Sequence, residues 1–389
     1  MNKTIRKSFK FQIKVTPEVS LQLANFAGAS RFVWNKALAL NLERLEQNAP
    51  LMWYQELNFW SSLWKKSDEY GFLKELPSQV IQQKLIDLEK AFKDAFDKKQ
   101  PLKRIPVFKK KGQHDSFRYP QSFKINQQKN KVFLPKIGWV SYRNSRNIVG
   151  NAKNVTLSRK GKHWYIAIQT EYEAELLPHK STSMVGIDMG IKQFATLSDG
   201  TVYFPLSSFK AKSDKLAKLQ RKLKHKKKFS NNWKKVIAKI TQCHEDIGNA
   251  RKDYLHKVST EISESQAVIV IEDLRIKNMS KSAKGNNEKQ GKKVAQKSGL
   301  NKFILDQGWG MFAIMLEYKQ NWNNGVVLRV PAQYTSQTCP RCRHVAKENR
   351  LTQSSFVCVE CGFSENADIV GAINILAKGH VILAGRTAG

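Results

Sequence analysis

Two C-x-x-C pairs fifteen residues apart, Cys339-Pro340-Arg341-Cys342 and Cys358-Val359-Glu360-Cys361, constrain this chain more than any other feature. Paired thiols at that spacing read as a four-cysteine zinc ribbon, in which four thiolates close the tetrahedron and leave no position for water. The zinc is therefore expected to be structural. A redox dithiol or thiol pairs packed in a core fit the doubled spacing less well. The fifth cysteine, Cys243, and the nearby His344 read as packing or surface groups. Cysteines committed to metal imply a reducing, cytoplasmic compartment.

The charge balance comes next. The 389 residues include 67 Lys and Arg against 32 Asp and Glu, a formal net charge of +35. A compact chain so far from neutrality repels itself unless a polyanion screens it, and an extended nucleic acid is the natural candidate. Binding to chromosomal DNA would keep the protein at the nucleoid. Lys222, Lys224, Lys226, Lys227, Lys228, Lys234 and Lys235 suit phosphate contacts, with the 226–228 run placed where one extended helix could track a backbone. Trp53, Tyr54, Trp60 and Trp64 could stack on bases, although their helical spacing reads first as core. The basic N-terminus alternates apolar and polar residues and lacks the apolar run of a signal peptide. No stretch approaches the roughly 18 apolar residues that span a bilayer, so no membrane partner is expected.

The length allows two or three domains. Phe9, Phe11, Ile13 and Val15 alternate as a strand, and Thr16-Pro17-Glu18 is a helix start. Helical periodicity fills 16–100. Period-two segments follow at 131–134, 152–157 and 163–171, and the strand near Phe11 is expected to join them. Val185-Gly186-Ile187-Asp188 is a short strand ending in an acid, followed by a hairpin over 194–204. Residues 207–265 read as basic helix, and 267–271 as a buried strand ending at Glu272-Asp273. The Lys/Gly/Asn/Ser-rich stretch 277–298 reads as a loop. A helix over 305–320, a strand over 326–330 and a last helix over 368–378 complete the pass.

Three separated acids then carry the chemistry: Asp188 and Glu272 end strands, and Asp368 opens a helix. In an RNase H-like fold the strand ends lie side by side and a late helix can add a third acid. Such a cluster can hold two divalent ions roughly 3.5–4 Å apart for phosphodiester hydrolysis. Hard oxygen donors favour Mg2+ or Mn2+. Each acid alone also fits a turn, a strand end or a helix N-terminus. Asp273 is expected to face away, because adjacent strand residues alternate.

These motifs resemble a known family. Gly186-Ile187-Asp188-Met189-Gly190-Ile191-Lys192, Val270-Ile271-Glu272-Asp273-Leu274, Thr335-Ser336-Gln337-Thr338-Cys339-Pro340-Arg341-Cys342 and Ala367-Asp368 with Asn374-Ile375 are similar to TnpB, the transposon-encoded OrfB nucleases related to type V CRISPR effectors. Arg31-Phe32-Val33-Trp34-Asn35 and Asp306-Gln307-Gly308-Trp309 extend the likeness along the chain. The resemblance implies an α+β multidomain protein. A small wedge-type β-barrel (1–15 and 101–180) would carry an inserted helical recognition domain (16–100), and an RNase H-like RuvC domain (181–334 and 366–389) an inserted zinc ribbon (335–365).

It further implies an RNA-guided DNA endonuclease with a guide RNA from the transposon end, cutting double-stranded DNA beside a short flanking motif. Asp188, Glu272 and Asp368 would be catalytic and would bind magnesium or manganese. Cys339, Cys342, Cys358 and Cys361 would bind zinc. Two departures stand out: Arg343 where the family has glycine after the second cysteine, and Val370-Gly371 where it has Asn-Ala. A strand-transferring DNA transposase and a non-cleaving RNA-guided DNA-binding regulator remain the alternative readings.

Overall fold

The computed structural model describes residues 2–113, 115–175, 177–285 and 291–387. The chain divides into two units, Met1–Glu175 and Leu176–Gly389.

In the first unit, β1 (Asn2–Lys14) buries Ile5, Phe9, Phe11 and Ile13 and turns most of the residues between them outward. Thr16 then caps α1 (Pro17–Glu46), its hydroxyl accepting the Val19 N–H at 3.4 Å. α2 (Tyr54–Lys66), a 3-10 segment over 68–75 and α3 (Ser78–Phe96) follow. Six strands come after: β2 (Ser116–Tyr119), β3 (Lys124–Asn126), β4 (Lys131–Leu134), β5 (Gly138–Tyr142), β6 (Asn151–Lys160) and β7 (His163–Glu175). The sheet order is β2-β6-β7-β1-β5-β4-β3. β1 pairs antiparallel with β7, Phe11 opposite Ile166, so the expected long-range pairing of the N-terminal strand is present. The three helices therefore lie, in chain order, between strands of one sheet. One core joins them to it: Leu23, Phe26, Val33, Leu85 and Leu88 pack with Phe11, Phe117 and Trp164. Trp64 is buried, whereas Trp53 and Trp60 are partly exposed.

The second unit begins with β8 (Met184–Asp188), β9 (Ala195–Leu197) and β10 (Val202–Tyr203). Then come α4 (Ser208–Lys224), α5 (Asn231–Ser265), β11 (Val268–Glu272), α6 (Ile276–Met279), α7 (Val294–Gln307), α8 (Trp309–Asn323), β12 (Val326–Val330), β13 (Ser355–Val357), β14 (Ser364–Asn366) and α9 (Ala367–Thr387). The main sheet runs β10-β9-β8-β11-β12, with β8, β11 and β12 parallel. On one face Val185, Ile187, Ile269 and Ile271 pack against Leu255 and Ile262 of α5 and Phe312 and Leu316 of α8. On the other, Met184, Val268 and Val270 meet Ile375 and Leu376 of α9. Gly186 permits that close approach, since a Cβ there would stand 2.2 Å from the Ala372 carbonyl oxygen.

Several expectations need correction. The basic helix expected over 207–265 is two helices broken at 225–230, and Lys226, Lys227 and Lys228 lie in that break instead of on a continuous helix. The loop expected over 277–298 contains α6 and the start of α7, while 286–290 lie outside the described residues. The helix expected over 305–320 is divided at Gly308, whose φ of 75° ends one helix and opens the next. α9 outruns its expected end, and Ala367–Gly385 is, by length and composition alone, apolar enough to cross a bilayer. That corrects the expectation that no stretch of the chain is long and apolar enough to span one. Val370, Ala372 and Ile375 are buried, and Ile375 is part of the core that α9 shares with the sheet.

Candidate active site

Strand alternation builds the site. Val185 and Ile187 face α5 and α8, so Met184, Gly186 and Asp188 face α9; on β11, Val268, Val270 and Glu272 do the same. Ile271 pairs with Ile187 at the end of this ladder, which makes Glu272 and Asp188 the next residues on adjacent parallel strands, roughly 4.8 Å apart in the sheet. α9 supplies the third acid in its first turn. Asn366 Oδ1 accepts the backbone N–H groups of Asp368 and Ile369, at 2.9 and 3.4 Å, and fixes where the helix begins. A Cβ on Gly371 would stand 2.8 Å from Asp188 Oδ2, so glycine lets that carboxylate lie against the helix.

The electrostatics agree that the acids converge. Burial first, then the charges of Glu272 and Asp368, push the Asp188 carboxyl up to about 7, against the pull of Arg350. Glu272 is also raised by burial, opposed by the Thr335 hydroxyl and the Lys378 ammonium. Asp368 is raised by burial and held down by Arg350 and Lys192. Asp273 is exposed and pairs with Arg329 at 3.5 Å, away from the cluster as alternation requires.

Sequence reasoning missed the residues around the acids. Thr335 is buried and donates its hydroxyl to Glu272 Oε1 at 2.6 Å. Asn374 Nδ2 donates to the carbonyls of Thr335 and Thr338, and Lys378 Nζ to those of Pro331 and Gln333, so α9 tethers the segment that carries Thr335. Arg350 Nη2 lies 3.5 Å from Asp368 Oδ1. Thr335 stood inside a quoted motif and could have been found there. Arg350 lies in a loop with no local signal.

The four cysteines meet. Among the described residues, only their Sγ atoms form a metal-ligand group lying wholly within 4.8 Å, with Cys339 to Cys361 at 3.6 Å and Cys342 to Cys358 at 3.5 Å. Thiolates around one zinc at Zn–S distances of about 2.3 Å would stand roughly 3.8 Å apart, so the set fits that ion. The two knuckles repeat one geometry: Cys339 N–H donates to the His344 carbonyl, Cys358 N–H to that of Phe363. Arg343 and Gly362 occupy matching positions at φ 65° and 70°. The arginine therefore keeps the turn that glycine makes at lower cost. Cys243 is buried with Leu216 and Ile247, a packing residue as expected.

The basic residues split by element. Lys222 and Lys224 end α4, Lys234 and Lys235 open α5, and these four are exposed, as are Lys227 and Lys228 in the break. Lys226, in the same break, is half-buried.

Comparisons with known proteins add to this geometry. The OrfB_IS605 family, described as "Probable transposase", matches residues 167–283, and "Cas12f1-like, TNB domain" matches 309–375. A model described as "Helix-turn-helix domain" matches 1–49, which here form a strand and one long helix. An Escherichia coli (strain K12) protein named as an RNA-guided DNA endonuclease, InsQ, is 51% identical over 378 residues, covering 97% of this chain and 93% of its own length. A Streptomyces pristinaespiralis protein also named as an RNA-guided DNA endonuclease is 30% identical over 384 residues, covering 97% and 90%. The solved structure of the mini-RNA-guided endonuclease CRISPR-Cas_phi3 aligns with 95% of this chain and 92% of its own at 11% identity and a TM-score of 0.45. The class is thereby defined as a transposon-encoded enzyme of α+β architecture with a thiol ribbon near its C-terminal helix. Within it, the chain belongs to the TnpB family of OrfB proteins, related to the type V CRISPR effectors.

Proposed function

We propose that this protein is an RNA-guided DNA endonuclease whose phosphodiester hydrolysis depends on Asp188, Glu272 and Asp368. One observation carries the site: alternation and register turn both strand-end acids toward the face on which α9 presents the third. The donor set is all carboxylate oxygen, suited to Mg2+ or Mn2+. A pair of such ions, when bound, would activate water and stabilise the leaving oxygen. The chain's own part is to hold three partly buried carboxylates in place, with Thr335 orienting Glu272 and Arg350 limiting repulsion at Asp368. Zinc would be held by Cys339, Cys342, Cys358 and Cys361 in a closed site that serves folding.

The parallel strands and the acids at their ends support an RNase H-like RuvC domain over 181–334 and 366–389, interrupted by a ribbon over 335–365. The sheet of the first unit supports a wedge-type barrel over 1–15 and 101–180 around a recognition domain over 16–100. On this reading a guide RNA reads target sequence by base pairing, and the protein reads a short flanking motif and heteroduplex shape. Its relatives are bacterial, and such an enzyme would work in the cytoplasm on chromosomal and transposon DNA.

The test is single substitution of each acid by alanine, with cleavage and guide-dependent DNA binding measured side by side. Cleavage should fall below detection with Mg2+ while binding stays within about threefold, because the acids serve the chemical step. A Glu272→Ala protein cutting at near wild-type rate would overturn the assignment. Joined DNA strands in place of cut ends would point to strand transfer.

A further inference from the structure

Lys84 on α3 is an anomaly of the first unit. It is only 7% exposed, and its amine reaches the Ser116 carbonyl at 3.5 Å and the side chain of Lys109. A buried amine whose partners are one long carbonyl contact and a second amine holds its charge at a cost unless an anion completes it. The neighbouring carboxylates each hold another partner. Asp87 takes Arg118 and the Gln83 amide, and Asp115 takes Arg31 at 2.7 Å. Lys109 converges on the same place, its ammonium 3.5 Å from the centre of the Trp34 ring. It is held there by a two-bond clamp: Asn35 Nδ2 donates to the Lys109 carbonyl at 3.0 Å, and the Lys109 N–H donates to Asn35 Oδ1 at 2.8 Å. Arg31, Lys84, Lys109, Gln113 and Ser116, with Ala27 and the Arg31-paired Asp115, line a cavity of about 10 Å³, room for one oxygen-sized group. Burial lowers both lysines, Lys109 to about 8 with the charge of Lys84 adding to it, while the Asp87 carboxylate opposes the shift in both. Four basic groups, Arg31, Lys84, Lys109 and Arg118, thus stand near two carboxylates, Asp87 and Asp115, so an anion entering here would meet more basic groups than acids.

We propose that Lys84, Lys109 and Arg31 form a built site for one phosphodiester group of a nucleic-acid backbone, gripped between α1, α3 and residues 107–113 and 115–116. The proposal rests on the nucleic-acid reading above but not on the cleavage site. A phosphate oxygen in the cavity would complete the Lys84 ammonium, and the Asn35 clamp fixes the backbone from which the Lys109 side chain reaches the same place. The contact carries no sequence information. It fixes register on the backbone, the role of a phosphate contact in a guided nuclease.

The experiment uses the full-length protein in EDTA, so that cleavage cannot intervene, with Lys84→Met and, separately, Lys109→Met. Two probes of matched sequence are titrated across a salt series: a 25-nucleotide single-stranded RNA and a 25-base-pair duplex DNA. The expected result for Lys84→Met is an unchanged or higher Tm, about tenfold weaker binding to one probe, and a salt slope reduced by about 1. Weakening confined to RNA assigns the phosphate to RNA, and weakening confined to duplex assigns it to DNA. A lower Tm with both affinities and both slopes unchanged, in both variants, would make the lysines structural and overturn the site. Because the acids play no part in EDTA, failure of this site and failure of the nuclease assignment read out separately.

Discussion

Asp188 sits where three influences converge, and its acidity can be read from stability. Its folded carboxyl titrates near 7 against an ordinary value near 3.8, so the fold binds a proton that the unfolded chain has released. Stability from this group is therefore full at low pH and falls as pH rises toward 7. Without added Mg2+ or Mn2+, Tm should drop by several degrees between pH 5 and pH 8. Asp188→Asn should flatten much of that slope, and Mg2+ at pH 8 should restore Tm to wild-type protein but not to the variant. An identical slope in Asp188→Asn, followed by thermal melting, would remove the carboxylate cluster as its source. Thr335 offers a second residue-scale test. Its 2.6 Å hydrogen bond orients Glu272 without meeting the reacting atoms. Thr335→Val should raise the Mg2+ concentration for half-maximal cutting by about tenfold, as expected when a group orienting a metal ligand is lost. Thr335→Ser should recover it, because the hydroxyl returns. Equal Mg2+ dependence in all three proteins would leave Thr335 as packing only. The acids were legible because each closes or opens an apolar element. Their hydroxyl and guanidinium partners were not, since a partner's identity is set by tertiary approach and leaves no periodicity.

At the scale of elements, the knuckle shows how far spacing can be read. Four thiols in two C-x-x-C pairs specify two matching turns, and the turns match down to their backbone hydrogen bonds. What spacing could not give was the conformation of Arg343, a non-glycine residue at φ 65°. A left-handed backbone at such a residue costs roughly 1–2 kcal/mol relative to glycine. Arg343→Gly should therefore raise the melting temperature of the zinc-loaded protein, or slow zinc loss to a chelator, while leaving its zinc content at one per chain. A lower Tm would mean that the arginine side chain contributes more than its backbone costs. Helix boundaries failed for an equally physical reason. The Lys-rich stretch from Ser207 to Ser265 keeps its composition through the break at 225–230, so composition hides the turn. α7 was lost in the opposite way, because its polar, Lys- and Gly-containing start looks like loop until its Ile304 and Gln307 side are buried.

At the scale of the whole molecule, the charge is the property that most needs a partner. With all 32 carboxylates counted against the 67 lysines and arginines, the excess over the chain is still +35. Fields of that size raise the rate and strength of polyanion binding and oppose compaction of the bare protein. Counterion release makes such binding steeply salt-dependent when phosphates alone are contacted. A guide RNA adds shape and base-specific contacts that do not follow the same slope. The purified protein should therefore carry one defined RNA species that survives salt strong enough to strip random duplex DNA, and sequencing that RNA should return one end of the transposon. Replacing it with an RNA of altered target-pairing sequence should move the cut to the matching DNA. Neutralising Lys226, Lys227 and Lys228 together should weaken binding about equally for every guide, because a turn that touches phosphates cannot tell one sequence from another. The alternative is a merely basic enzyme, whose bound nucleic acid would be heterogeneous and whose cuts would ignore the added RNA. RNA-free protein cutting the same sites as the loaded form would decide for that alternative, and the strand-transfer reading would then have to account for the three acids.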